Sequence, residues 1–327
     1  MLLVTGGAGF IGSNVVASLN EAGAGDVVVN DQFGRDDAKW RNLAKRQVAD
    51  VVAPAELMAW LEGRKLDAVI HMGAISDTTV TDADLVTKNN LHLSVRLLDW
   101  CTNTRTPFIY ASSAATYGDG AQGFDDDWSP EALRKLKPMN LYGWSKHQFD
   151  LVVADRCVKK AKMPPHWAGL KFFNVYGPNE YHKGHMQSVL AKVFDGAKAG
   201  EPVRLFKSYR QGVADGEQRR DFIYIDDAVA VLRWLLAAPA VNGIFNVGTG
   251  KAESFRDMMG AMFKALGRPA NIEYIEMPEA IRGQYQYFTQ AAVENLRRAG
   301  YNAGFTPLDD AVERYVNGYL NTTDRYH

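Results

Sequence analysis

What the sequence lacks narrows its reading first. It has only two cysteines in 327 residues, Cys101 and Cys157. That is too few for a disulfide framework, so a cytoplasmic, reducing compartment is expected. No apolar run reaches about 18 residues, so no membrane-spanning helix is expected. The opening residues read as an apolar strand, not as a basic segment followed by a long apolar one, so no signal peptide is expected there. Neither charge sign dominates: 37 Lys+Arg stand against 38 Asp+Glu, a net charge of −1. Nucleic acid and anionic membranes are therefore not expected partners. There is no repeat, low-complexity stretch or long linker. His182 and His185 lie close together but have no third ligand nearby, so no metal site is expected.

Glycine is plentiful at 29 residues, and hydrophobic residues make up 46%, as in a well-packed protein. Short apolar runs at 2–5, 27–30, 68–71, 107–111 and 168–173 read as buried strands. Helical patterns at 10–22, 55–62, 84–101 and 141–160 separate them. This alternation predicts an α/β fold with a doubly wound parallel sheet. Beyond Pro178 the pattern loosens. Helices are expected at 185–199, 226–236, 254–266, 290–299 and 307–320, strands at 202–206 and 222–225, and a loop over 208–220.

Val4-Thr5-Gly6-Gly7-Ala8-Gly9-Phe10-Ile11-Gly12 lies between the first strand and the first helix. Glycines at 6, 9 and 12 permit a tight turn and bring backbone N–H groups to a pyrophosphate at the helix N-terminus. Phe10 and Ile11 belong to the same contact. Asp31, at the end of the second strand, is placed to accept hydrogen bonds from an adenosine ribose, which favours NAD; Gln32 follows it. Arg35, Lys39 or Arg41 would instead neutralise a 2′-phosphate, which favours NADP. The expected cofactor is NADP, with NAD the alternative. Met72 and Gly73-Ala74-Ile75-Ser76 follow the strand ending at His71, where small residues let the chain pass close to a cofactor. Asn89, on the next helix, is a further candidate, either for a loop contact or as a plain surface residue.

Tyr142-Gly143-Trp144-Ser145-Lys146 puts a phenol and an ammonium on one helix face. A nearby ammonium favours tyrosinate, so Tyr142 is a candidate acid/base. Ser113 follows a strand and is placed to hydrogen-bond a substrate oxygen. This Ser/Tyr/Lys set resembles the extended, nucleotide-sugar branch of the short-chain dehydrogenase/reductase superfamily. The resemblance runs through Phe173-Asn174-Val175-Tyr176-Gly177-Pro178, Arg220 to Asp227 and Asn246-Val247-Gly248-Thr249-Gly250. It implies a Rossmann-type dinucleotide domain over 1–172 and a mainly substrate-binding, smaller α/β domain over 173–327, with segments near 213–250 returning to the first. It also implies that Lys146 holds the nicotinamide ribose, and that Val175 and Lys183 touch the cofactor.

Dehydratases of that branch carry an Asp-Glu pair where this chain has Ala114 and Ala115, so elimination is disfavoured. A binding module that merely kept the nucleotide fold would not need Tyr142 with Lys146. Glu180-Tyr181-His182-Lys183-Gly184-His185-Met186, with Phe288-Thr289-Gln290-Ala291 and Leu296 to Tyr301, resembles the ADP-L-glycero-D-manno-heptose 6-epimerase family of lipopolysaccharide-precursor enzymes. On residue type alone Lys183 reads equally as a phosphate-binding or solvated loop lysine. The resemblance implies a second acid/base. It also implies substrate contacts at Ser113, Asn174, Arg220 and Tyr285, at Phe206, Lys207, Ser208 and Tyr209, and at His185 and Lys192. Where His185 and Lys192 stand, that family usually has a small hydroxyl residue and often a histidine. An ADP-heptose substrate and a homo-oligomer are the expected partners; the runner-up is another nucleotide-sugar epimerase or a dehydratase.

Overall fold

The computed structural model describes residues 1–34, 38–282 and 285–327. In chain order its strands are β1 (Leu2–Thr5), β2 (Val27–Asn30), β3 (Asp50–Val52), β4 (Ala68–His71), β5 (Phe108–Ser113), β6 (Trp167–Phe172), β7 (Asn174–Tyr176), β8 (Val203–Phe206), β9 (Arg219–Tyr224), β10 (Gly243–Val247), β11 (Ala252–Ser254) and β12 (Ile272–Ile275). The main sheet has seven strands in the order β10-β6-β5-β4-β1-β2-β3, all pairing in parallel. A parallel sheet is covered on both faces, which explains why β2 and β4 are buried at every position.

Alternate residues feed two cores. Leu3, Val28, Val69 and Phe108 meet the helices Leu93–Thr104 and Leu141–Val158 on one face. Val4, Val29, Ile70 and Ile109 meet Phe10–Glu21 and Ile225–Ala237 on the other. Strand order reverses between β1 and β4, where the C-terminal strand ends part to leave a crevice.

The expected return of the later chain is narrower than 213–250. The helix Ile225–Ala237 and β10 join the main sheet, but β9 lies in a three-stranded sheet with β7 and β11. β8 and β12 form a separate parallel pair. Several helices are also shorter than their patterns. The one expected over 55–62 spans Leu57–Trp60, and that over 290–299 spans Glu294–Arg298. The helix expected over 185–199 begins at Val189, after a 3-10 turn Tyr181–Met186 broken at Gly184 (φ 53°). Ala83–Thr104 is helical but carries a π turn, Thr87–His92. Among the described residues no helix is long and apolar enough to cross a membrane.

Candidate active site

β1 hands over to the first helix through Gly6 (φ 65°). A Cβ there would lie 2.6 Å from the Gly73 backbone, and one on Gly12 would run into the Gly6 carbonyl. These glycines let the loop, the helix and the chain leaving β4 close on one another. The helix has no side-chain cap and no acid in its first turn. Its leading N–H groups are thus left for an anion, and the helix dipole favours one there. These residues fit a dinucleotide pyrophosphate. The positions expected to touch a cofactor, Arg35 and Arg41 aside, line one cavity of about 1120 Å³.

At the ribose end, the acid and the cation expected to favour different cofactors are joined. Asp31 accepts from Ala8 N (2.9 Å) and Gln32 N (2.7 Å) and pairs with Lys39 at 2.6 Å. Arg41 rests over the Trp40 ring, away from the cavity lining; Arg35 lies outside the described residues. Asn89 lines the cavity, but its amide donates to Leu85 O within its own helix. The loop contact belongs to Asn90. It exchanges bonds with Ile75 (N to Oδ1 2.8 Å, Nδ2 to O 2.9 Å) and donates to Ser145 Oγ at 3.0 Å. It thereby ties the 73–76 segment to the Tyr142 helix. Beneath it, His71 bonds Thr5 Oγ1 (2.6 Å) and Ser94 Oγ (2.8 Å). Burial, with some repulsion from Lys146, drops its pKa to about 3.

The Tyr142 helix begins at Asn140, whose side chain accepts from Gly143 N at 2.8 Å. Gly143 is seated on the turn Ala114–Tyr117; a Cβ there would lie 2.6 Å from Ala115 O. That close seat sets Tyr142 near Ser113, whose hydroxyl favours the ionised phenol. Lys146 lies one turn further along the same helix. Its Nζ donates to Ala111 O at 2.8 Å, and burial lowers its pKa to about 8 against the pull of Asp150. Burial outweighs Ser113 at Tyr142, so in the protein alone the phenol titrates above its ordinary range.

Asp150, one turn beyond Lys146, is a residue that sequence reasoning passed over. Fully buried, it accepts from Ser112 Oγ (2.7 Å) and Tyr110 OH (3.0 Å) and pairs with buried Lys171 at 2.7 Å. Lys171 also donates to Thr116 Oγ1 at 2.7 Å. The network braces β5, β6 and the 114–117 turn under Ser113. Its signal was present: Tyr142, Lys146 and Asp150 recur at helical spacing.

Lys183 enters from a different element, the turn after β7. Its Nζ sits 5.2 Å from the Phe10 ring centroid. Burial depresses its pKa; Glu180 opposes this and Lys192 adds to it. Glu180 is fully buried and accepts from Ser188 Oγ (2.7 Å), Ser188 N and Tyr315 OH (3.1 Å), fastening both ends of the turn.

At the substrate end Asn174, Arg220 and Tyr285 line the cavity. Arg220 is buried, 5.4 Å from the Tyr285 ring centroid and 5.6 Å from that of Phe255. Backbone carbonyls of Arg219 and Gln286 take two of its donors. The other expected contacts are not cavity walls. Phe206 packs edge-on against Tyr285 at 6.2 Å. Lys207 pairs with Glu276 (2.7 Å), and the Tyr209 hydroxyl donates to the same carboxylate. Ser208 N is held by Asp215 at 2.7 Å. His185 faces Asp77 at 3.4 Å, and Lys192 reaches His185 O at 3.3 Å. Local ion pairs and backbone partners occupy these groups.

The Arg-Asp-Phe and Asn-Val-Gly-Thr-Gly motifs prove to be joints. Asp221 accepts from Thr249 N (2.7 Å), Gly250 N (2.9 Å) and Ala291 N (3.0 Å), and Asn246 holds Tyr117 OH at 2.7 Å.

A parallel sheet with an uncapped glycine-turn helix, and Ser113, Tyr142 and Lys146 at the adjoining strand end, defines a dinucleotide-dependent enzyme of the short-chain dehydrogenase/reductase type. The chain belongs to the NAD-dependent epimerase/dehydratase family, whose model matches residues 2–248. It is 49% identical to the ADP-L-glycero-D-manno-heptose-6-epimerase of Nitratidesulfovibrio vulgaris (strain DP4) over 100% of both chains. It is 45% identical, again over 100% of both, to the enzyme of that name from Fusobacterium nucleatum subsp. nucleatum. Among solved structures, the Helicobacter pylori ADP-L-glycero-D-manno-heptose-6-epimerase superposes with a TM-score of 0.77. Its identity is 29%, over 97% of this chain and 95% of that one.

Proposed function

We propose that this protein inverts carbon six of ADP-D-glycero-D-manno-heptose to give ADP-L-glycero-D-manno-heptose, with NADP as its resident cofactor. The observation that carries the reading is a pair of proton carriers, Tyr142 and Lys183, on separate elements of one cavity. The only carboxylates among the described residues lining it are Asp31 and Asp77. Asp31 is committed to Lys39, and Ala114 and Ala115 stand beside Ser113, so an acid/base pair for elimination of water is missing there.

The glycine turn, Asp31, Lys39 and Lys146 would hold the dinucleotide, which would supply reversible hydride transfer at carbon six and, when oxidised, a positive charge that favours the Tyr142 phenolate. Ser113 and Tyr142 hold the sugar oxygen on one side. Tyr142 exchanges its proton as the carbonyl forms, with Lys146 close beneath. Inversion delivers the hydroxyl in a new direction, and Lys183 serves the proton there. Arg220, still carrying free donors, meets the diphosphate, with Tyr285 beside it. The choice of NADP rests on Lys39: with its charge neutralised by the ammonium, Asp31 does not repel a 2′-phosphate.

The test is to incubate the protein with ADP-D-glycero-D-manno-heptose and follow carbon six by NMR. Conversion with no added oxidant is expected. Failure to convert it, with turnover of a UDP- or dTDP-hexose, refutes the reading. In Lys183→Ala, kcat should fall; a change confined to KM would make Lys183 a binding residue.

A further inference from the structure

We propose that the segment 325–327 is a strap that positions Lys183: through Asn179 and Tyr181 it fixes the turn from which the ammonium reaches the sugar. This rests on the reading of Lys183 as the second proton carrier. Among the described residues the Lys183 Nζ has no hydrogen-bond or ion-pair partner; it faces the Phe10 ring, 5.2 Å from the centroid. Its aim is therefore set by the backbone beneath it. That backbone does not hold itself. The turn Tyr181–Met186 buries none of its residues fully and is broken at Gly184 (φ 53°). Asn179, just before it, is a fully buried non-glycine residue at φ 72°, in the left-handed region that most side chains avoid. Such a conformation persists only where surrounding groups hold it.

The strap takes hold on either side of Glu180. Tyr181 OH donates to Arg325 O at 2.8 Å, and its ring stands edge-on to Tyr326 at 5.3 Å. Asn179 Oδ1 accepts from His327 N at 2.9 Å, while its amide donates to Ser13 Oγ at 3.1 Å. The strap is itself anchored to distant elements. Arg325 forms a two-armed pair with Asp195 on the helix Val189–Ala199. Lys45 Nζ donates to Tyr326 O at 2.6 Å. The His327 ring bonds Asn14 Oδ1 on the first helix at 2.9 Å, and Asn14 Nδ2 donates to Pro178 O at 3.0 Å, so Asn14 grips strap and turn together. Ser113, Tyr142 and Arg220 stand on β5, the Tyr142 helix and β9. A loosened strap thus displaces Lys183 and leaves them in place. A displacement near 1 Å can cost about a hundredfold in rate.

The experiment measures turnover of ADP-D-glycero-D-manno-heptose by the full chain, followed at carbon six by NMR, beside dinucleotide affinity by titration. Wild type, Asn179→Gly, Tyr181→Phe and the two combined are compared, each with Lys183 present and with Lys183→Ala. Glycine takes the left-handed conformation freely, so Asn179→Gly removes the bond to His327 without straining the backbone. Expected is a kcat about tenfold or more lower in the combined variant, with KM within about twofold of wild type. Dinucleotide affinity should change no more than Lys183→Ala alone changes it, which also shows that the variant is folded. On the Lys183→Ala background the same substitutions should cost less than about twofold, because the group they aim is gone. An unchanged kcat, a loss that multiplies with that of Lys183→Ala, or a dinucleotide affinity that falls along with kcat overturns the proposal. Where Lys183→Ala leaves no measurable turnover, the division between kcat and KM in the variants that keep Lys183 decides. A Lys183→Ala enzyme with wild-type kcat overturns the proton-carrier reading instead, and is seen without any strap variant.

Discussion

Gly143 lies in the first turn of the Tyr142 helix, and replacing it with alanine separates two opposed effects. On intrinsic propensity alone, alanine favours a helix over glycine by about 0.8–1.0 kcal/mol. The structure opposes this. The new Cβ would lie 2.6 Å from Ala115 O, and relaxing to the 3.4 Å of ordinary contact requires a shift of about 0.8 Å. The obstacle is a backbone carbonyl in a turn held by the Ser113 cap and by Lys171 on Thr116, so it cannot swing aside as a flexible side chain would. Overpacking of this kind typically costs about 1–3 kcal/mol. Net destabilisation of roughly 0–2 kcal/mol is expected from these two ranges. The larger effect falls on rate, because the helix that moves carries Tyr142 relative to Ser113. A misplacement near 1 Å can cost about a hundredfold. Steady-state turnover of ADP-heptose, measured beside thermal unfolding, should show a kcat loss of about ten- to a hundredfold with only a small drop in Tm. A variant that is more stable than wild type and fully active would refute the argument, because it would show that the helix seat yields freely.

Tyr142→Phe should slow epimerisation by about 10²–10⁴-fold, with dinucleotide affinity nearly unchanged by titration; undiminished turnover would remove Tyr142 from the acid/base role. His71 gives a pH signature. Its folded pKa, about 3, lies below the ordinary 6.5, so the unfolded chain binds the extra proton between these values. Its contribution is thus fully present above pH 6.5 and is lost as pH falls toward 3. His71→Gln should flatten that part of the acid-unfolding curve; an identical pH dependence would contradict the assignment. Asp150→Ala strands the buried Lys171 ammonium and should cost about 3–5 kcal/mol in chemical denaturation, against a milder loss when Asp150 and Lys171 are replaced together by apolar residues. Equal losses would show that the pair is not coupled.

The central sheet was legible because buried parallel strands are continuous apolar runs; 2–5, 27–30 and 68–71 matched to the residue. β3, β7, β11 and β12 were not read as strands. Each has only three or four residues, and β3 exposes Asp50 and Val51, so hydrophobic pattern says little and the partner strand decides. Asn89 and Asn90 show a second limit. Within the π turn the two neighbours divide, Asn89 lining the cavity and Asn90 tying the 73–76 segment, and residue type alone does not tell them apart. The glycine loop and the Ser/Tyr/Lys set were readable from short motifs. The bracing of Lys183 by Glu180 with Tyr315 was not, because those partners lie 135 residues apart. Phe206 to Tyr209 stand outside the cavity lining, where the β8–β12 pair sets Glu276 beside Lys207 and Tyr209, a partner 67 or more residues away that local sequence does not announce.

The late arrival of β10 has a consequence for how the molecule is made. β6 is complete at Phe172, yet its outer hydrogen-bonding edge is filled only by Gly243–Val247, pairing Gly243 with Ala168 through to Val247 with Phe172. A nascent chain leaving the ribosome therefore carries a largely apolar strand, interrupted only by Lys171, with one ladder unsatisfied while some seventy further residues are synthesised. Such an edge is a template for association with other chains. A fragment cut at the apparent domain border would keep that vulnerability permanently, so the dinucleotide half is built to be finished only by the half that follows it.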